Sequence, residues 1–228
     1  MRFQDAARDG RAVVYAGIQA DPLVARAADC LIDASAGERV LARAVMNGEA
    51  TEPATWMAMF PSLFDPADGA DPDGTARGRA EAVLAVSIEV AEHGDRVRNQ
   101  LRGAIVEELT ARLLARRVGP TAVRRERRIL FDGVRAEIHP YDVTVEHPGR
   151  AEAYDCKWGA RGINDDVLHQ LDDARAHAAD EDERLTVALV VFDARRSCDV
   201  RLERTNAPRS GTDVVALERL DALAVDRR

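Results

Sequence analysis

The run Leu185-Thr186-Val187-Ala188-Leu189-Val190-Val191-Phe192 constrains the fold more than any other stretch of the chain. It is short, apolar throughout and without the alternation of a half-exposed strand, which suits a strand covered on both faces. Such a strand needs helices above and below a sheet, and the pattern on either side supplies them. Upstream, a helix is predicted from Ala80 to about Glu92. After Gly94-Asp95 a second runs from about Arg96 to Arg117, carries Leu101, Ile105, Leu109 and Leu113 at four-residue spacing, and stops at Gly119-Pro120.

Three strand patterns follow: Val123 to Phe131, closed by Asp132-Gly133; Ala136 to Glu146, closed by Pro148-Gly149; and Ala151 to Trp158, closed by Gly159. A helix from about Asn164 to Ala179 has Ile163, Val167, Leu171, Ala174 and Ala178 as its apolar stripe. Beyond the apolar run, a strand around Asp199 to Arg204 and a helix near Leu217 to Leu223 are expected. The order α-β-β-β-α-β predicts an α/β fold with a mixed sheet flanked by helices. Residues 1–60 read as an alanine-rich helical extension that could dock a protein partner or a second copy. Residues 61–79, rich in Asp, Pro and Gly, read as a linker, and 80–228 as the main domain.

A chain of 228 residues buries a core without staples, and its three cysteines form no CxxC pair, so neither a disulfide framework nor a thiolate zinc site is supported. No apolar run approaches membrane-spanning length and the first residues lack a signal-peptide pattern, which predicts a soluble cytoplasmic protein. The net charge of −8 argues globally against a nucleic-acid partner. Locally the balance reverses: between Arg96 and Arg135 eleven arginines stand against Glu107, Glu108, Glu126 and Asp132. This stripe is either a solvated helix face and an edge strand, or a phosphate-binding surface.

Of the 32 basic residues, one alone, Lys157, is a lysine. Lysine is a compact point charge whose pKa burial can move, whereas arginine is a wide planar fork that stays charged. Lys157 therefore marks a position where arginine does not serve. It stands two residues after Asp155, and on a strand these two share a face while Tyr154, Cys156 and Trp158 take the other. Facing residues of the hairpin sum to 297 whether the turn has two residues or four, so Asp142 is expected to face Asp155. Like charges so placed repel, and a divalent cation between them relieves the repulsion. Hard oxygen donors without converging histidines or thiolates point to Mg2+, with Mn2+ able to substitute. Lys157 could then orient or deprotonate an attacking water.

At these residues the sequence resembles the PD-(D/E)XK nuclease superfamily: a helix bearing a glutamate, three strands bearing Asp and then Asp/Glu-x-Lys, a helix and another strand. The helix pattern is matched by Gly103-Ala104-Ile105-Val106-Glu107-Glu108-Leu109, with Leu113-Leu114 and Gly119 following. The match is one of order and spacing over about residues 97–193, and Pro140 stands two residues before Asp142 rather than one. The resemblance implies a restriction-endonuclease-like core, Asp142 and Asp155 as metal ligands, Lys157 as the catalytic lysine, and Glu107 as an auxiliary carboxylate and metal ligand. Helix periodicity does not separate Glu107 from Glu108. In some branches a glutamine of the next helix joins the site, and Gln170 matches it; as a residue bordering the stripe it reads equally as helix surface.

The function expected from this set is Mg2+-dependent hydrolysis of phosphodiester bonds in nucleic acid, DNA before RNA, in defence, restriction or repair. Arg112, Arg116, Arg117, Arg124, Arg125, Arg127 and Arg128 are the expected phosphate contacts. The competing expectation is a non-catalytic nucleic-acid-binding or scaffold subunit with the same fold.

Overall fold

The structure is a computed structural model that describes residues 1–6, 10–65, 71, 73–135, 139–205 and 213–226. In chain order its strands are β1 (Arg2–Asp5), β2 (Val123–Phe131), β3 (Val134–Arg135), β4 (Tyr141–His147), β5 (Arg150–Lys157), β6 (Leu185–Val191) and β7 (Asp213–Ala216). Its helices are α1 (Gly10–Gln19), α2 (Pro22–Ile32), α3 (Ala36–Asn47), α4 (Pro53–Met59), α5 (Pro61–Phe64), α6 (Thr75–Ala91), α7 (Asp95–Val118), α8 (Asp165–Asp180) and α9 (Arg195–Leu202). Two compact units result, one of residues 1–10 and 110–228, the other of residues 11–109.

The first unit is built on a mixed sheet of order β1-β2-β4-β5-β6-β7, with β3 paired to β2. From β1 to β5 neighbours run antiparallel; β5, β6 and β7 run parallel. Two short turns set the antiparallel half. Asp132 and Gly133 both take positive φ, the primed geometry of a two-residue hairpin, and pair Phe131 with Val134. Pro148-Gly149 closes β4 on β5 with Gly149 at φ 77°, so the turn has two residues and His147 pairs Arg150.

The parallel half needs a crossover, and α8 supplies it between β5 and β6. Asn164 caps α8 by accepting from the Val167 N–H at 3.0 Å, and Asp165 and Asp166 favour the positive end of the helix dipole. Its Leu168, Leu171, Ala174 and Ala178 are buried with Ile129, Phe131, Tyr141 and Ala153 of the antiparallel strands and Val187, Leu189 and Val191 of β6. The apolar run is thus a strand whose last five residues are all buried.

The second unit is helical. Asp21 caps α2, and Ser35 and Glu38 form a complete capping box on α3. Its core gathers Leu41 and Val45 of α3, Trp56, Phe64, and Ala80, Leu84 and Ala91 of α6. The indole Nε1 of Trp56 donates to the Ala50 carbonyl at 2.9 Å. No helix among the described residues is long and apolar enough to cross a membrane.

Four expectations are corrected. Residues 2–5 are not helical: they form β1, which covers part of β2 by pairing Gln4 with Arg128 and Asp5 with Arg127. The division between units does not fall at 61–79. Helix α6, expected with the main domain, shares a core with α3 because Ala80, Leu84 and Ala91 have their apolar partners there. The segment Asp199–Arg204 is not a strand but the end of α9 and its exit; the strand is Asp213–Ala216, and a 3-10 helix occupies Leu217–Ala224. Residues 136–138 of the expected second strand lie outside the described residues, and β4 begins at Tyr141.

The fourth concerns Arg117, expected on phosphate. Its guanidinium Nη2 donates to Glu152 Oε2 at 2.5 Å, and its side chain is 3% exposed. Tyr154 also donates to that oxygen through its hydroxyl. Arg117 therefore joins α7 to β5. Removing one partner of a buried ion pair leaves the other charged and underpaired, so Arg117→Ala should lower unfolding free energy by about 3 kcal/mol in urea titrations. It should leave the salt dependence of any nucleic-acid binding unchanged.

Candidate active site

Strand β5 carries the two residues that define the site. Lys157 Nζ donates to Asp155 Oδ1 at 2.6 Å, an i, i+2 pair that only a shared strand face permits. The other face turns elsewhere: Cys156 Sγ lies 3.5 Å from Thr110 Oγ1 of α7. The β4–β5 ladder runs from His147↔Arg150 to Val143↔Tyr154, the register that the turn demanded. One step further along it stands Asp142, whose Oδ2 accepts from the backbone N–H of Cys156 at 2.6 Å. A carboxylate thus takes the ladder's place at the mouth of the hairpin. Asp142 is half-buried and Asp155 buried.

Electrostatics link the three groups. Burial by itself would lower the pKa of the Lys157 ammonium, but the Asp155 and then the Asp142 carboxylate outweigh it, and the pKa sits above the ordinary lysine value. The lysine is cationic at neutral pH and compensates part of the repulsion between two carboxylates on neighbouring strands.

Two features that the sequence reading missed hold Lys157 in place. The 3-10 turn Ala160–Gly162 folds back over its stem, and a Cβ on Gly162 would lie 2.9 Å from Cβ, Cγ and Cδ of Lys157. Asp193, two residues after the end of β6 and buried, fixes that turn. Its Oδ2 accepts from the Ala160 N–H at 3.0 Å and its Oδ1 from the Ala194 N–H at 2.8 Å. The available signal was its place at the carboxyl end of the apolar run, where open parallel sheets carry functional loops.

Gln170 lies buried on α8, where its amide clamps a backbone. Oε1 accepts from the His139 N–H at 3.1 Å and Nε2 donates to the His139 carbonyl at 3.2 Å. The Tyr141 hydroxyl also reaches the Gln170 carbonyl at 3.4 Å. Gln170 thus anchors the segment that leads into Asp142, rather than sitting at the helix surface. Glu107 belongs to the helical unit, is buried, and accepts from the Tyr15 hydroxyl at 2.5 Å and from Gln19 Nε2 at 2.7 Å. Glu108 is half-buried.

The remaining arginines of the stripe divide. Arg127 is committed: Nε pairs with Glu146 at 2.8 Å, and Nη1 pairs with Asp5. Arg116 and Arg124 are exposed, and Arg112, Arg125 and Arg128 are half-buried. The stripe is therefore not a continuous row of phosphate contacts. Trp158, expected on the face opposite Lys157, is half-buried and stacks on Phe192 with centroids 4.9 Å apart.

The donor set fits Mg2+. Among the described residues no three His, Cys, Asp or Glu side chains gather into a metal cage. Two neighbouring carboxylates, one of them half-exposed, suit a hard cation that keeps several waters, which is the usual habit of Mg2+. Comparison with protein-family models, curated proteins and solved structures finds no match to this chain.

The contact of Gly162 with Lys157 generates a test. Gly162→Ala must displace the lysine stem near its root, where the side chain cannot swing aside, so overpacking should destabilise the fold by about 1–3 kcal/mol. Urea titration measures that loss, and a crystal structure of the variant should show the Lys157–Asp155 bond broken.

Proposed function

We propose that the chain is a metal-dependent nuclease of the PD-(D/E)XK type, with a restriction-endonuclease-like core, hydrolysing phosphodiester bonds in DNA. The observation that carries this reading is the bond from Lys157 Nζ to Asp155 Oδ1, made beside Asp142 at the carboxyl end of β5. The order of elements around it, with antiparallel strands leading into β5 and a crossover helix leaving it, supports the same reading.

Asp142 and Asp155 would hold Mg2+. Bound there, the cation would neutralise charge on the scissile phosphate. The lysine has two roles open to its geometry. As a cation it stabilises the extra negative charge of the pentavalent transition state, and as a positioned amine it orients the attacking water by hydrogen bonding. Asp155 sets the lysine's direction, Gly162 confines its stem, and the Gln170 clamp and the Cys156 N–H set the approach and rotamer of Asp142. Glu107 is assigned no step. A role in defence, restriction or repair remains part of the proposal on the strength of the resemblance alone, and a cytoplasmic location on the strength of the sequence expectation alone.

The test is incubation of the full chain with plasmid, linear duplex, single-stranded DNA and RNA in Mg2+, Mn2+ or EDTA. Cleavage that needs the metal and is abolished in Asp142→Ala and in Asp155→Ala is the expected result. Binding without cleavage in every arm would favour the non-catalytic reading instead. Lys157→Arg separates charge from geometry: the guanidinium stays positive but is wider and cannot act as a compact donor. Cleavage should fall roughly 100-fold or more while Mg2+ affinity, measured by calorimetry, is retained.

A further inference from the structure

The turn that confines Lys157 has a second face. Ala160 and Arg161 of that turn line a cavity of about 500 Å3 together with Ala194, Arg196, Ser197, Val200, Arg201 and Arg204. Its size lies within the usual range for small-ligand pockets. Four of its eight lining residues are arginines and none is acidic. Arginine identity by itself says little in a chain that uses arginine for nearly every cation, so the state of these arginines decides the matter.

Acidic residues outnumber basic ones, 40 to 32, and arginines elsewhere in the same unit find carboxylates. Arg195, next to the cavity, pairs with Asp199 at 2.8 Å, and Arg175 with Asp172 at 2.5 Å. Arg201 donates through Nε to the Ile163 carbonyl at 2.7 Å, which braces the wall. Among the described residues Arg161, Arg196 and Arg204 have no carboxylate partner, and all three are exposed. The buried carboxylate of Asp193, next in sequence to Ala194 of the lining, accepts from the N–H groups of Ala160 and Ala194. A concavity of one sign, with planar forks left unpaired and a serine hydroxyl beside them, attracts a tetrahedral oxyanion, for which guanidinium groups provide bidentate donors.

We propose that this cavity is a phosphate-binding subsite of the candidate active site. It would take a phosphate group of the substrate strand, either an internal phosphodiester or a terminal phosphomonoester. The proposal rests on the nuclease reading, because the Ala160–Gly162 turn is the wall that the cavity and Lys157 share.

The experiment measures binding by the full chain in EDTA to single-stranded and duplex oligonucleotides carrying either a 5′-phosphate or a 5′-hydroxyl, across a salt series. Inorganic phosphate and polyglutamate serve as competitors, and Arg196→Ala/Arg204→Ala is the variant. Both side chains are exposed, so circular dichroism should show an unchanged fold. Affinity is expected to fall at least about tenfold, with the log-log salt slope reduced by about 1.4–1.8 for two phosphate contacts. Equal loss on both kinds of oligonucleotide assigns the subsite to internal phosphates; loss confined to 5′-phosphorylated strands assigns it to a terminal one. Unchanged affinity and slope would overturn the proposal, as would polyglutamate displacing the oligonucleotide better than inorganic phosphate at matched charge. The two readings fail separately. Metal-dependent cleavage lost in Asp155→Ala, with arginine-independent binding, removes only the subsite. Arginine-dependent phosphate binding without cleavage by the parent chain removes only the nuclease.

Discussion

Strand β5 has two unlike edges, and most of the molecule's first unit follows from that. One edge is antiparallel to β4, so a two-residue turn suffices and the register is set within a few residues of chain. The other edge is parallel to β6, so the chain must leave the sheet, pass through α8 and return. The first edge brings Asp142 alongside Asp155. The second supplies both the helix whose Gln170 clamps the approach to Asp142 and the loop on which Asp193 stands. An antiparallel neighbour on both sides would have left no crossover helix there, and a parallel one on both sides no hairpin to bring the two aspartates together.

The supports around Lys157 show how such a site is made rigid with few hydrogen bonds. A lysine has several rotatable bonds, and ordering it carries an entropic penalty that one ion pair in partial contact with water offsets poorly. Here the stem is confined sterically by the turn at Gly162, and the ion pair fixes only the tip. Asp193 transmits the order of β6 to that turn through two backbone N–H groups. Burial of Asp193 is tolerable because these charge-assisted bonds replace its hydration.

Much of this was legible beforehand, and the reasons differ by element. Strand β2 was readable from the turn residues at its ends, and helix α8 from its cap residue and its periodic apolar stripe. The hairpin register was readable because a short turn makes it arithmetic. Strand β1 was not, since four residues gain strand character only by pairing with β2, more than a hundred positions away. The assignment of α6 failed for the same reason: its apolar residues do not name their partners. Segment 195–204 shows no periodicity that separates helix from strand, and its inner side is marked by the buried Cys198 and by Leu202 packed against the core. Among the residues of the candidate site, Asp142, Asp155 and Lys157 stand out by spacing, whereas Asp193 and Gly162 act through contacts that no side-chain motif encodes. Charge counting located a basic stripe but could not say that Arg117 and Arg127 would find carboxylates.

The solitary lysine has a practical consequence. Because arginine fills every other Lys or Arg position, the chain offers amine-selective reagents a single lysine target, and that target is 26% exposed and held by Asp155. Acylation at that position would remove the positive charge and add bulk beside Asp155. A ligand seated on the two aspartates would alter the amine's reactivity from next door. Mass spectrometry of one acylated peptide would therefore serve as an occupancy gauge for the site, with the arginines silent as background.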